Sequence, residues 1–256
     1  MSRRARWLLS ILSIAFAGSA WLIFAQSKPM PTVPAAPENW KQLNGEQRLA
    51  DLHSRRIADV STALQSQGFA LGDAVFVRVI KESSELELWL RPSTSSAFRL
   101  YKTWHIARWS GTLGPKTKEG DRQAPEGFYA FNAKHLNPRS SYHLSFNIGY
   151  PNALDQALGR TGSLIMVHGS NVSVGCFAMT DPVIEEIYLI VEAALTAGQP
   201  EIAVHCFPFR MTTERLATAD TTHRDFWLNL KEGWDRFEQS HIPPVWSVRD
   251  QRYHFD

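Results

Sequence analysis

The chain has 256 residues, 44% of them hydrophobic, which is enough apolar material for a packed core and argues against global disorder. Its formal charge of +2 comes from Arg3, Arg4 and Arg6: residues 1–26 hold no Asp or Glu, and the rest carries 24 basic against 25 acidic residues. No basic block with interleaved aromatics remains, so nucleic-acid binding has little support, and two cysteines do not make a disulfide scaffold at this length.

Arg3, Arg4 and Arg6 precede an apolar stretch at residues 7–25. A secretory h-region spans about 7–15 residues and a membrane span about 20. Residues 1–26 are therefore a signal peptide or an N-terminal membrane anchor, with the length favouring an uncleaved anchor over cleavage after Ala20. The arginines predict a cytoplasmic N-terminus and an exported, periplasmic remainder. Pro29, Pro31, Pro34 and Pro37 make residues 27–37 a semi-extended linker. In residues 38–72, Leu43, Leu49, Leu52, Ile57, Val60 and Leu64 recur at near-helical spacing. Gly45 and the charges at Arg55 and Arg56 predict one broken helix or two short ones. Packing on the next domain is the commoner outcome for such a segment; docking a partner is the other.

From residue 74 the pattern becomes strand-like. Residues 75–80 are β-branched and aromatic, Leu86, Leu88 and Leu90 alternate with Glu87 and Trp89, and residues 82–85 between them read as a hairpin turn. Further strands are predicted at 98–109, 128–131, 142–148 and 164–167, with glycines and prolines between them. Trp89, Trp104 and Trp109 belong to the sheet. Helices are predicted at 182–195, with Asp181 as N-cap, and at 226–237. Residues 74–256 thus read as one mostly β (α+β) domain, a sandwich or barrel with a few peripheral helices.

The predicted strand at 164–167 ends at His168 and Gly169, and a polar loop leads to the turn Ser173-Val174-Gly175-Cys176. A cysteine nucleophile with a histidine base has this form. A free thiol titrates near 8.5 and needs a base or a lowered pKa; an imidazole near 6.5 supplies one. Gly175 allows close backbone approach, and the N–H of Cys176 with that of Val174 or Gly175 could form an oxyanion hole. Three other readings stay open at this point. His168 and Cys176 could be core residues that flank a loop. Cys176 and Cys206 could pair in an oxidising compartment, which would block the chemistry. A metal site of His168, Cys176 and His205 lacks any recognised ligand spacing. Cys206, in the apolar run 202–207, reads as a small buried core residue.

His168-Gly169 followed by Ser173-Val174-Gly175-Cys176 resembles the signature of the L,D-transpeptidase (YkuD-type) catalytic domain family. The run Gly120-Asp121-Arg122-Gln123-Ala124-Pro125-Glu126-Gly127 is similar to that family's upstream segment. Residues 147–153 and 208–212 resemble its YafK branch, and the resemblance covers residues 74–250. It implies the family's fold, with Cys176 as nucleophile and His168 as general base and acid, Ser173 and Gly175 in the cysteine turn, and no cofactor. It places Gly169, Tyr142, Asn147, Tyr150 and Asn152 beside the substrate, with aromatic packing for Tyr142 and turn chemistry for Asn152 as equal readings.

Two positions depart from the commoner family pattern. Val174 stands where a second histidine is usual, and Ala178 where an arginine is usual. Arg210 and Arg122 are the candidates to meet the substrate carboxylate in its place. The resemblance implies attack on the diaminopimelate carbonyl of a peptidoglycan stem peptide, giving a thioester that passes to an amine or to water. In the YafK branch it points to hydrolytic release of a wall-linked lipoprotein. A non-catalytic, membrane-tethered wall-binding scaffold is the reading from a different class.

Overall fold

The computed structural model describes residues 35–256. The expected signal peptide or anchor, and residues 27–34 of the expected linker, lie outside the described residues. Among the described residues no helix is long and apolar enough to cross a membrane.

A 3-10 turn at Trp40–Gln42 leads into helix α1 (Gly45–Gln65). Gly45 opens this helix; it does not break it. Asn44 caps the end by accepting the Gln47 N–H, while the Gln47 side chain accepts the Asn44 N–H. The helix also runs unbroken through Arg55 and Arg56, because their charges are paired. Arg48, Leu52, Arg56, Val60 and Leu64 recur every four residues and are buried.

Strands β1 (Ala74–Ile80), β2 (Glu85–Arg91), β3 (Arg99–His105) and β4 (Gly127–Phe131) follow. The short strands β5 (Leu136–Asn137) and β6 (Ser145–Asn147), helix α2 (Ala153–Ala157), and strands β7 (Met166–His168) and β8 (Phe177–Ala178) come next. Helix α3 (Asp181–Thr196), strand β9 (Ile202–Phe207), helices α4 (Thr213–Ala217) and α5 (Arg224–Ser240), and the hairpin β10 (Trp246–Arg249) and β11 (Arg252–Phe255) complete the chain.

Two mixed sheets result, and the fold is α+β. The larger has the order β3-β2-β1-β9-β4, with β1 and β9 parallel. The smaller has the order β5-β6-β7-β8, with β7 and β8 parallel. Strand alternation sorts the larger sheet's side chains onto two faces. Val75, Val77, Val79, Leu86, Leu88, Leu90 and Val204 join α1, α3 and the smaller sheet. Ile80, Phe128 and Phe207 join Trp227, Leu230 and Trp234 of α5 on the other face. Each such side chain contributes about 1.5–3 kcal/mol by leaving water. Helix α3 is apolar nearly all round, with Ile184, Ile187, Tyr188, Leu189, Ile190 and Val191 all buried, and it lies between α1 and both sheets. Segment 38–72 therefore shares its core with the strands that follow.

The expected strand 98–109 stops at His105, where the Ile106 N–H turns to the Ser84 carbonyl (2.7 Å). The expected strand 142–148 is confined to Ser145–Asn147. Asp181 does not cap α3: Thr180 takes that position, and the Asp181 carboxylate accepts the Ser170 N–H (2.7 Å).

His205 is fully buried, and its ring packs edge-on against Phe76 and Phe128 at 4.6 Å each. Neither ring nitrogen has a hydrogen-bond partner among the described residues. Burial, then the nearby Arg78 charge, lowers its pKa to about 3. The unfolded chain takes up this proton below about pH 6.5 and the folded chain refuses it. Stability therefore falls as pH drops from about 6.5 towards 3, by up to about 1.4 kcal/mol per unit. Urea titrations of His205→Phe should show a shallower loss between pH 6.5 and 4 than wild type. Parallel curves would contradict this assignment.

Candidate active site

Strands β7 and β8 lie side by side, with Val167 opposite Phe177 and His168 opposite Ala178. Continuing that register places Cys176 beside Met166, and the Met166 N–H donates to Cys176 Sγ (3.3 Å). Alternation puts residues 166, 168, 176 and 178 on one face. His168 and Cys176 are thus diagonal neighbours on adjacent strands. Both line a pocket of about 240 Å³ together with Ser145, Leu164, Met166 and the Ser140–Tyr142 stretch.

The imidazole is held in one orientation. Its Nδ1 donates to the Gly169 carbonyl (2.6 Å), which leaves Nε2 as the basic nitrogen. The Tyr142 ring covers it, with centroids 4.8 Å apart. Gly169 has no room for a side chain: a Cβ there would sit 2.6 Å from Asp181 Oδ1 and 2.8 Å from the Tyr142 carbonyl. Its part is to orient His168 and close the loop, whereas the sequence placed it against substrate.

The cysteine turn is fixed from both sides. Ser173 Oγ donates to the Cys176 carbonyl (2.6 Å). The Gly175 N–H donates to Ser110 Oγ (2.7 Å), and that hydroxyl donates to the Arg122 carbonyl (2.7 Å). The Gly175 amide is therefore engaged and cannot serve the expected oxyanion hole. Gly175 has φ 89°, a conformation open to glycine at little cost. Val174 is exposed, at 70%.

Burial sets the resting charges. It pushes the Cys176 thiol up, opposed by the Met166 N–H and by the charge of Lys116. It pushes His168 down, opposed by the Gly169 carbonyl. Both shifts favour a neutral thiol beside a neutral imidazole over a thiolate–imidazolium pair. Among the described residues the thiol's hydrogen bonds run to Met166 N–H and the Leu164 carbonyl. Alkylation of Cys176 by iodoacetamide in the free protein should therefore keep accelerating with pH up to and past the ordinary thiol range. A plateau below pH 7 would reveal a preformed thiolate and contradict this reading.

The upstream loop borders this turn. Asp121 accepts the N–H groups of Thr117, Lys118 and Gln123 and the Lys116 ammonium (2.6 Å). Those donors outweigh its burial and hold its pKa at about 2. Beneath the loop lies a fully buried ion pair. Lys81 Nζ donates to Glu126 Oε1 and to the Gly114 and Ala124 carbonyls, each at 2.9 Å. Glu126 also accepts the Gly114 N–H and Trp227 Nε1–H.

Other expected site residues lie elsewhere. Tyr150 is buried and donates to the Thr161 carbonyl (3.1 Å). Asn152 caps α2 and donates to the Phe128 carbonyl and the Tyr253 hydroxyl. Neither lines the Cys176 pocket; their polar groups are used to close the fold. Arg210 is neutralised by Glu85 (2.6 Å) and Glu87 (2.9 Å), so it is a poor partner for a substrate carboxylate. Arg122 is exposed and its guanidinium makes no hydrogen bond or ion pair among the described residues.

Cys176 and Cys206 are both free thiols. Cys206 is fully buried between β1 and β4. His205, on the α5 face, is packed in its aromatic cage. Among the described residues no three His, Cys, Asp or Glu side chains are grouped to hold a metal.

Arg108 escaped the sequence reading. Its backbone pairs with Ala178 in both directions (3.3 and 2.9 Å). Opposed residues of an antiparallel pair project to the same face, so Arg108 starts from the face of Ala178 and Cys176. It is exposed, and its guanidinium makes no hydrogen bond or ion pair among the described residues. Nothing in sequence spacing links residue 108 to 178; only the fold does.

A cysteine and an oriented histidine sit on neighbouring strands and open into one pocket, the arrangement that a cysteine nucleophile with a histidine base requires. The profile of the L,D-transpeptidase catalytic domain, YkuD, matches residues 89–204. YafK of Escherichia coli (strain K12) is 41% identical over 184 residues, 72% of this chain and 74% of its own length; YafK of Escherichia coli O157:H7 gives the same values. The chain belongs to the L,D-transpeptidase catalytic domain family, which acts on peptidoglycan peptides. Among solved structures, the helical cell shape determining protein Pgp2 from Campylobacter jejuni is similar with a TM-score of 0.39 and 18% identity, covering 75% of this chain and 80% of that one.

Proposed function

We propose that the chain is a periplasmic cysteine enzyme that attacks the diaminopimelate carbonyl of a peptidoglycan stem peptide, tethered to the inner membrane through residues 7–25. The observation that carries this reading is the shared pocket of Cys176 and His168, with Nδ1 locked to Gly169 and Nε2 left to act as base. His168 Nε2 takes the thiol proton as Sγ attacks the carbonyl carbon. The developing oxyanion is met by the Cys176 N–H, since the Gly175 amide serves Ser110. Collapse of this intermediate breaks the amide bond, His168 passes its proton to the departing amine, and a thioester remains on Cys176.

An amine or water then attacks the thioester, with His168 again as base. An amine gives a cross-link or a protein attachment. Water gives hydrolysis, and on a lipoprotein linked through diaminopimelate it gives release. Arg108 and Arg122 are the unpaired guanidinium groups beside the cysteine turn, and we assign to them the substrate carboxylate that the family's arginine would meet. Ala178 itself is buried and offers nothing to substrate.

The test is mass spectrometry of sacculi incubated with the wild-type protein and with Cys176→Ala. The reading predicts new cross-links or released wall-linked protein with wild type only. Sacculi that bind the protein but remain chemically unchanged would instead support the non-catalytic scaffold.

A further inference from the structure

The pocket around Cys176 is small for the reaction proposed. Ligand sites commonly run to about 300–1,000 Å³, and this one is about 240 Å³. Yet the chemistry needs two peptide arms, one that acylates Cys176 and one that departs or arrives as the amine. Just past Tyr142 lies a groove of about 890 Å³. Ser140, Ser141 and Tyr142 line both cavities, so the two are separated by one stretch of chain.

This groove is a built feature. Its far wall is the segment that enters α1, and Arg48 of α1 holds that wall to the shared one. The Arg48 guanidinium is buried and contacts five backbone carbonyls: Trp40 and Lys41 on one side, Pro138, Ser140 and His143 on the other, at 3.0–3.3 Å. Trp40 stacks on His143 with centroids 4.3 Å apart. His143 Nε2 lies 2.9 Å from Glu185 of α3, which also pairs with Arg55 and Arg56 of α1. The loop that carries Tyr142 onto His168 is thus fastened from the α1 side.

The groove's charges also point to a ligand. Lys41 and Arg139 line it, and neither side chain makes an ion pair or hydrogen bond among the described residues. Asp181 lines it too; its Oδ1 accepts the Ser170 N–H and its carboxylate keeps a negative charge. Glu38 adds a second negative charge. We propose that the groove is a second subsite, which takes the peptide arm on the amine side of the scissile bond. Lys41 and Arg139 meet that arm's free carboxylate, and Glu38 and Asp181 suit the site to a zwitterionic peptide. The identity of the arm rests on the function proposed above; the existence of the peptide site does not.

Binding and acylation separate the two. The full-length Cys176→Ala chain is titrated with a synthetic peptide that carries a free C-terminal carboxylate and no diaminopimelate. Saturable binding is expected, weakened at least tenfold in Lys41→Gln/Arg139→Gln and retained in Lys41→Arg/Arg139→Lys. No saturable binding, or equal binding by the Gln variant, would overturn the subsite. In parallel, acylation of the Cys176-intact chain by a diaminopimelate stem thioester, whose small neutral thiol leaving group carries no carboxylate, needs only the small pocket. It is expected to stay within twofold in the Gln variant, and a loss comparable to the binding loss would also overturn the subsite. Failure of wild type to acylate would overturn the proposed function while the binding result still decides the groove.

Discussion

Replacing His168 with glutamine is expected to slow acylation of Cys176 about 10²–10⁴-fold, the usual worth of a positioned general base. The large effect follows from the resting charges. Burial pushes the thiol pKa up, so the proton must leave during attack, and the proposed mechanism assigns it to His168 Nε2. Glutamine fills similar space and can hydrogen-bond the Gly169 carbonyl, but it accepts no proton. The pH profile should change as well. Burial lowers the His168 pKa below 6.5, and the neutral imidazole is the active form. Wild-type acylation should therefore hold through neutral pH, persist somewhat below pH 6.5, and then fall in an acid limb. The glutamine variant should lack that limb and show a rate that rises with thiolate fraction. A loss under tenfold, or an unchanged acid limb, would remove His168 from the mechanism.

Replacing Lys81 with methionine is expected to cost about 3–5 kcal/mol, the penalty for leaving one member of a buried pair alone. Lys81 and Glu126 are both fully buried, and desolvation lowers the Lys81 pKa despite the carboxylate beside it. Without the ammonium, Glu126 keeps two donors, Gly114 N–H and Trp227 Nε1–H, but no positive charge. The Ala124 carbonyl, beside the loop that supports Ser110 and Gly175, also loses its partner. The double variant Lys81→Met/Glu126→Gln should recover much of the loss, because no isolated charge is then buried. Urea unfolding of the three variants measures this directly. A single-variant cost under 1 kcal/mol, or no recovery in the double, would mean the pair is not closed to water.

The parts of this protein that could be read from sequence are those governed by local pattern. Alternation at Val75–Val79 and Leu86–Leu90 marks the central hairpin, and the apolar run at 202–207 marks its parallel neighbour β9. The strand ending at His168 and the turn at Cys176 were also legible, because apolar and glycine-marked segments follow short-range rules. What escaped depends on distant partners. Strands β10 and β11 are only four residues each, and the core they join is visible only against α5. Arg55 and Arg56 look like a solvated charge cluster in sequence, but Glu185, about 130 residues away, pairs both and lets α1 run through.

The candidate site divides in the same way. Cys176 and His168, the expected nucleophile and base, line one pocket. The residues around them do not follow from spacing. The family resemblance places Asn152 and Tyr150 beside the substrate, yet their hydrogen bonds close the fold. Arg210 looks free until β2 supplies Glu85 and Glu87. Arg108 reaches the cysteine turn through a cross-strand bridge, and Tyr142 reaches His168 through a loop that Arg48 fastens from α1.

The central claim is that Cys176 carries a covalent acyl group. Intact-mass measurement of the full-length protein mixed with a diaminopimelate stem peptide tests it most directly. The account predicts a mass gain equal to the stem acyl group, mapped to Cys176, removed by hydroxylamine and absent from Cys176→Ala. Stem-peptide turnover that survives Cys176→Ala, or an adduct on any other residue, would contradict it.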